Sequence, residues 1–480
     1  MRFERVGTAM AMLALVSGCG GGGGSTPAPP PVAGPPATPT PPAPPPTSAG
    51  CSLQERQNWA AGVLNEWYLF PETLPASLIP TQVNVEDYVH YLTANARAQG
   101  RDRFFTYRTS LAADNAFNNS GSTAGFGARF LLDSGQRRLF ISESYENAPA
   151  LDAGLDRGVE ILAIGTTASN LQTVESIFNA EGSAGITSAL GPNDPGVSRV
   201  FRVVDASGTR DVTLVKRSFE LLPVSPRYGA RILEDNGQRI GYVNLRTFIG
   251  TADQALRNAF AQFKQQGVTQ VIVDFRYNGG GLLATAAVLS NLLGGGRSSS
   301  DVQSRLEYRA SKAGNSFTRF FAPLPESIAP IRIAFIGRSG TASASELVIN
   351  TFVPYFGNNM ALIGTNTFGK PVGQTFIDRA QCDDRIRVTA FRMVNSAGHS
   401  DYFSGLAPSV PVTCQAGDDL ARQFGDPQEA SVRQALDYLA GRSCTPITST
   451  GASTQSVNGG RGLLTPAQPT TVQREAPGSF

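Results

Sequence analysis

The chain has 480 residues, with 40 Lys plus Arg against 38 Asp plus Glu and a formal net charge of +2. That length allows two or three domains with sizeable cores, and a near-balanced charge without a basic block excludes nucleic acid as an expected partner. The chain has two histidines and no Cys/His cluster at zinc-ligand spacing, so neither a metal site nor a cofactor is expected.

Arg2 and Arg5 precede an apolar run from Thr8 to Val16 that is too short to span a bilayer, which predicts a secretory signal peptide over residues 1–18. Val16-Ser17-Gly18-Cys19 resembles the lipobox of bacterial lipoproteins, which implies a lipid on Cys19 as a membrane anchor. Gly20, not aspartate, follows that cysteine; by resemblance to the sorting rule of enteric bacteria this implies the outer membrane of the cell envelope, facing the periplasm. Residues 19–50 are Gly-rich and then Pro-rich, an extended tether reaching up to about 90 Å if it is all polyproline-like. Four further cysteines suit an exported chain with two disulfides. Cys51 and Cys444 bracket the folded region, so the expected pairing is Cys51–Cys444 with Cys382–Cys414.

Leu53, Trp59, Val63, Leu64, Trp67 and Leu69, then Tyr88, Tyr91 and Leu92, recur at helical spacing and predict an N-terminal helical segment over 51–115, with His90 a packed or surface residue. From 120 to 217 the runs Phe126–Leu132, Leu139–Ser142, Glu160–Ile164, Val200–Val204 and Val212–Lys216 predict a β module. From 218 to 446 strands alternate with helices. Ile240–Leu245 precedes a helix over Ala252–Gln266, Val271–Phe275 precedes Gly279-Gly280-Gly281 and the apolar run Leu282–Leu293, and Ile331–Gly337 leads through a bend into Ala342-Ser343-Ala344-Ser345-Glu346. The pattern implies an α/β fold with a mostly parallel sheet and ligands at the carboxyl ends of its strands. Residues 447–480, rich in Gly, Ser, Thr and Gln, are expected to form a disordered tail.

Ser343 falls where a helix begins, where free N–H groups favour a developing oxyanion, although Ser343-x-x-Glu346 is also the pattern of a capping box. A nucleophilic serine needs a base, and neither His90 nor His399 keeps company with it. Lys370, in the low-charge turn Thr367-Phe368-Gly369-Lys370, can serve if burial lowers its pKa, with Gln374 holding the amine. His399-Ser400-Asp401 reads as a polar loop, because three adjacent side chains rarely form a relay.

These segments resemble the carboxy-terminal processing proteases, the tail-specific S41 serine peptidases. Their Ser-Ala-Ser-Ala-Ser-Glu motif aligns with Thr341–Glu346 and their Thr-Phe-Gly-Lys motif with Thr367–Lys370. The resemblance implies a spiral, ClpP/crotonase-like β/α core with Ser343 as nucleophile, Lys370 as base and Gln374 as orienting group. Asp274–Gly281 resembles the family's Asp-Leu-Arg-Asn-Asn-Gly-Gly-Gly, implying an oxyanion hole from the amides of Gly280 or its neighbour and Ala344. Asn147–Gly158 with Ile161–Gly165 resembles a PDZ signature, with Val159 in place of an aspartate. It implies that Gly125, Phe126 and Gly127 bind the carboxylate of a peptide added as a strand. The implied partners are proteins with apolar carboxy-terminal tails. A catalytically silent peptide-binding scaffold and an esterase on the same fold are the alternatives.

Overall fold

The computed structural model describes residues 49–78, 82–448 and 460–480. The signal peptide, Cys19 and most of the tether lie outside the described residues. Among the described residues no helix is long and apolar enough to cross a membrane.

A six-stranded sheet runs in the order Ala230–Asp235, Gln238–Asn244, Gln270–Asp274, Arg332–Gly337, Met360–Gly364, Thr413–Gln415. The first pair is antiparallel and the remaining four pairings are parallel. Parallel strands need crossovers, and the helices that provide them must cover both faces of the sheet. Alternation along each strand sorts the apolar side chains accordingly. Val271, Val273, Ile333, Phe335, Met360 and Leu362 join the core under helices Ala252–Gln265, Leu283–Leu293 and Ala344–Phe356. Ile272, Ala334, Ile336, Ala361 and Ile363 face helix Ala430–Leu439. The expected α/β class and mostly parallel core are present, and Ser343 stands just beyond the carboxyl end of strand Arg332–Gly337.

A second sheet joins Tyr107–Ser110, Asp384–Val394, Val302–Tyr308 and Phe317–Phe320, with Val372–Arg379 also paired to Asp384–Val394. Helices Leu53–Trp67 and Val85–Leu92 form the predicted N-terminal helical segment and pack on this sheet through Val372, Ile386 and Val388. The β module is a separate sheet, Ala128–Asp133, Arg138–Ser144, Glu160–Gly165, Ser198–Asp205 and Gly208–Val215 in order, with helix Val174–Leu190 on its apolar face. Strands Ser122–Gly125 and Arg217–Glu220 pair where the chain enters and leaves it.

Two expectations are corrected. Residues 460–480 are folded: Arg461–Leu463 pairs antiparallel with Leu131–Asp133, Thr471–Glu475 is a short helix, and Phe480 is buried in the β-module core. Composition predicted disorder because the segment has few apolar residues. Its order comes from backbone pairing to an exposed edge, with Leu464 and Phe480 as anchors. The disulfides are Cys51–Cys382 and Cys414–Cys444. Bracketing in sequence misled because the fold sets the pairs. Cys382 lies in the turn between the hairpin strands Val372–Arg379 and Asp384–Val394, beside the start of the first helix, and Cys444 returns to the terminal strand that carries Cys414.

Peptide mapping after non-reducing digestion is therefore expected to recover Cys51 linked to Cys382 and Cys414 linked to Cys444; a Cys51–Cys444 fragment contradicts the fold. Replacing both Cys51 and Cys382 by serine is expected to lower unfolding stability by about 2–5 kcal/mol, the usual range for a native disulfide.

Candidate active site

Strand Arg332–Gly337 ends in a bend fixed by Thr341, whose hydroxyl accepts from the Arg338 amide at 3.0 Å and donates to the Phe275 carbonyl at 2.8 Å. The Thr341 carbonyl accepts from the Phe368 amide at 2.9 Å, so the bend and the lysine loop are joined before the serine is reached. Ser343 follows with φ +55° and ψ −113°, and it is buried. A non-glycine residue in this region is strained and persists only where its surroundings impose it.

The imposing group is Glu346, which is wholly buried one turn into the serine helix. Its Oε2 accepts from the Ser343 amide at 3.0 Å and from the Lys370 amide at 2.7 Å, while Oε1 accepts from the Gly369 amide and the Thr367 hydroxyl, both at 2.6 Å. Burial raises the carboxyl's pKa, and these donors pull against that shift. One carboxylate oxygen thus binds the backbones of both predicted catalytic residues. Sequence reading assigned Glu346 only to a capping box; the capping arm to Ser343 exists, and the same side chain also organises the lysine loop.

Lys370 is half-buried, and its pKa is lowered to about 8, first by burial and then by the nearby Arg387 and Arg474 guanidiniums, with Glu475 and Asp102 opposing. Its Nζ stands 5.4 Å from the Phe105 ring centroid. Among the described residues no direct hydrogen bond joins Ser343 Oγ to Lys370 Nζ; the shared carboxylate holds the pair together, and such contacts commonly tighten when substrate binds. Among the described residues no hydrogen bond joins Gln374 to the Lys370 amine. A bulge between Gly373 and Gln374 re-aims its side chain, whose Nε2 donates to the Phe105 carbonyl. The glutamine therefore fixes the residue whose ring faces the lysine. His399 sits 3.2 Å from Ser409 and 3.4 Å from Asn350, a polar loop as expected.

The glycine run lies against the serine. A Cβ on Gly280, whose φ is +113°, would stand 2.8 Å from Ser343 Cβ and 3.0 Å from the Ala344 nitrogen, so only glycine allows this approach. The Gly280 amide itself donates to Asn278 Oδ1 at 2.9 Å. Its neighbour Gly279 donates instead to a peptide carbonyl, that of Glu475, at 2.9 Å. Asn278 had no role in the sequence reading. Its carbonyl accepts from the Ala342 amide and the Ser345 hydroxyl at 3.0 and 3.1 Å, joining the glycine run to the serine turn. In the β module, Gly125 ends strand Ser122–Gly125, Phe126 and Gly127 lead from it into strand Ala128–Asp133, and the Gly127 amide donates to the Phe480 carbonyl at 3.0 Å.

The sequence pattern of peptidase family S41 matches residues 239–412. The chain is 25% identical over 325 residues to a carboxyl-terminal-processing protease of Synechocystis sp., covering 67% of this chain and 70% of that protein. It is 27% identical over 304 residues to a chloroplastic C-terminal processing peptidase of Tetradesmus obliquus, covering 61% of this chain and 60% of that protein. A solved S41 protease structure from Bacteroides fragilis has the same fold, with a TM-score of 0.62 at 21% identity, covering 80% of this chain and 97% of that one.

Glu346→Gln places an amide NH₂ against backbone N–H donors in a site closed to water. It is expected to lower unfolding stability by about 2–3 kcal/mol, seen as a reduced urea midpoint at unchanged slope. An unchanged midpoint contradicts the assignment of Glu346 as the shared acceptor.

Proposed function

As a member of peptidase family S41 through residues 239–412, the chain is a serine-type peptidase, and we propose that Ser343 and Lys370 are its nucleophile and general base. The observation that carries this reading is the single Glu346 oxygen that accepts from both backbones. A lysine with pKa about 8 is neutral in about one molecule in ten at pH 7, against about one in three thousand for an unshifted lysine, so burial supplies a usable base.

Neutral Lys370 takes the Ser343 hydroxyl proton as Oγ attacks the substrate carbonyl. The Ala344 amide receives the oxyanion together with the Gly279 amide, once the Glu475 carbonyl has withdrawn from the latter. The Lys370 ammonium then protonates the departing amine, and water, activated by the again-neutral lysine, releases the acyl group and restores Ser343. The substrates of this reading are proteins with apolar carboxy-terminal tails. A tail adds to the edge strand Ala128–Asp133, with Gly125, Phe126 and Gly127 at its end. The same reading makes the protein exported, lipidated at Cys19 and held at the outer membrane facing the periplasm, on the strength of the Val16–Cys19 segment.

With an unfolded protein bearing an apolar carboxy-terminus as substrate, Ser343→Ala and Lys370→Ala are each expected to reduce kcat/KM by at least about 10²–10⁴. Because the base must be neutral, wild-type kcat/KM is expected to rise with pH and level off above about 8. Variants that cut as fast as the parent, or a rate that falls between pH 6 and 8, contradict the assignment.

A further inference from the structure

The β module's edge strand is already occupied by the chain's own final residues. Leu464 donates to the Phe130 carbonyl at 3.0 Å, extending the pairing of Arg461–Leu463 with Leu131–Asp133. The chain then leaves the edge and returns to it. Phe130 donates to the Gly478 carbonyl at 2.8 Å, and Phe480 donates to the Ala128 carbonyl at 3.0 Å. The Phe480 carbonyl accepts from the amides of Gly127 and Ala128, at 3.0 and 3.4 Å. Its ring enters the module's core, edge-on to Phe130 with centroids 6.0 Å apart. A Cβ on Gly125 would stand 2.6 Å from the Phe480 carbonyl carbon, so the loop is shaped closely around this residue.

Between the two pairings, residues 465–477 cross to the catalytic cleft. The Glu475 carbonyl takes the Gly279 amide, and Gly279 has no room for a Cβ against the Arg474 carbonyl. Arg474 donates to the Phe104 carbonyl at 2.7 Å and lies over the Tyr107 ring, and Glu475 pairs with Arg387 at 2.8 Å. Arg129 fastens the far end of this crossing to the start of the glycine run: its Nη1 donates to the Pro477 carbonyl at 2.7 Å and to the Tyr277 carbonyl at 2.6 Å.

Within the crossing, Thr471–Glu475 are helical. Arg474 donates to the Thr470 carbonyl at 3.0 Å and Ala476 to the Val472 carbonyl at 2.7 Å. Backbone groups bonded within a helical turn are not free to pair along a cleft as an extended strand does, so this stretch obstructs the site without offering itself as an added strand.

We propose that residues 460–480 form an intramolecular plug: Gly478–Phe480 fill the groove that receives substrate tails, and Arg474–Glu475 close the cleft in front of Gly279. The proposal rests on the reading of Ser343, Lys370 and the Gly125–Gly127 groove given above. The groove's ligand is then a segment with an aromatic residue preceded by small residues. An incoming substrate of that kind competes with the plug for the same edge, and displacing it opens the cleft.

The test uses a fluorescein-labelled Ala-Pro-Gly-Ser-Phe peptide and the full chain carrying Ser343→Ala, so that binding is read without turnover. Two further proteins carry, in the same background, either deletion from Ala476 onward or the length-preserving Phe480→Asp. Anisotropy is expected to show the peptide binding both altered proteins at least about tenfold more tightly than the intact one, the factor for a groove that is self-occupied nine-tenths of the time. Equal affinity for all three, or binding to none, overturns the proposal. With Ser343 restored, both altered proteins are expected to hydrolyse an unfolded protein faster than the intact chain, and equal rates among active proteins overturn the plug. If none of the three hydrolyses anything while the peptide still prefers the opened grooves, self-occupancy stands and the peptidase assignment of Ser343 and Lys370 falls.

Discussion

The site is organised around one buried carboxylate. Removing Glu346 from water is costly, and the cost is offset only because each oxygen accepts two hydrogen bonds, three of the four at 2.6–2.7 Å. Those donors come from two chain segments that are distant in sequence, the turn before the serine helix and the lysine loop. Satisfying the carboxylate therefore fixes Ser343 in its strained conformation and sets Lys370 beside it. The same dry surroundings that make the carboxylate demanding also depress the lysine's pKa. Geometry and basicity have a common cause.

A second buried system supports the glycine run. Arg276, wholly buried at the end of strand Gln270–Asp274, pairs with Asp274 at 2.7 Å, Glu429 at 2.9 Å and Asp418 at 3.3 Å, and Tyr242 donates to Asp274 at 2.8 Å. Across the boundary with the β module, Arg246 pairs with Glu143 at 2.6 Å and Glu146 at 2.7 Å, and within the module Arg129 pairs with the same Glu143 at 3.1 Å. Buried ion pairs of this kind contribute little net stability, but a misplaced partner leaves an uncompensated charge. They specify how the β module meets the core, and through the Tyr277 carbonyl they connect its edge strand to the residues beside Ser343.

Much of this was legible in the chain. The alternation of strand-like and helix-like segments from 218 to 446 announced a mostly parallel sheet, and the Ser343 and Lys370 segments declared themselves by motif. What stayed hidden needed the third dimension. Glu346 looked like a local cap because its other partners lie more than twenty residues away. Gln374 has the right spacing from Lys370, but a one-residue bulge turned it to Phe105. The disulfides followed the closing of a hairpin and of a terminal strand, which parity of cysteines does not encode. The final residues were misjudged on composition, since a segment that borrows its order from an edge strand needs few apolar side chains of its own.

In the proposed mechanism Ser343 and Lys370 act as one reacting unit. The most direct measurement is the rate of covalent labelling of the intact and shortened chains by a fluorophosphonate probe as pH is varied, with the adduct located by mass spectrometry. The account predicts modification at Ser343, a rate that climbs towards a plateau above about pH 8, and loss of that labelling in Lys370→Ala. Labelling of Ser343 at the same rate with the lysine removed, or labelling at another serine, would contradict it.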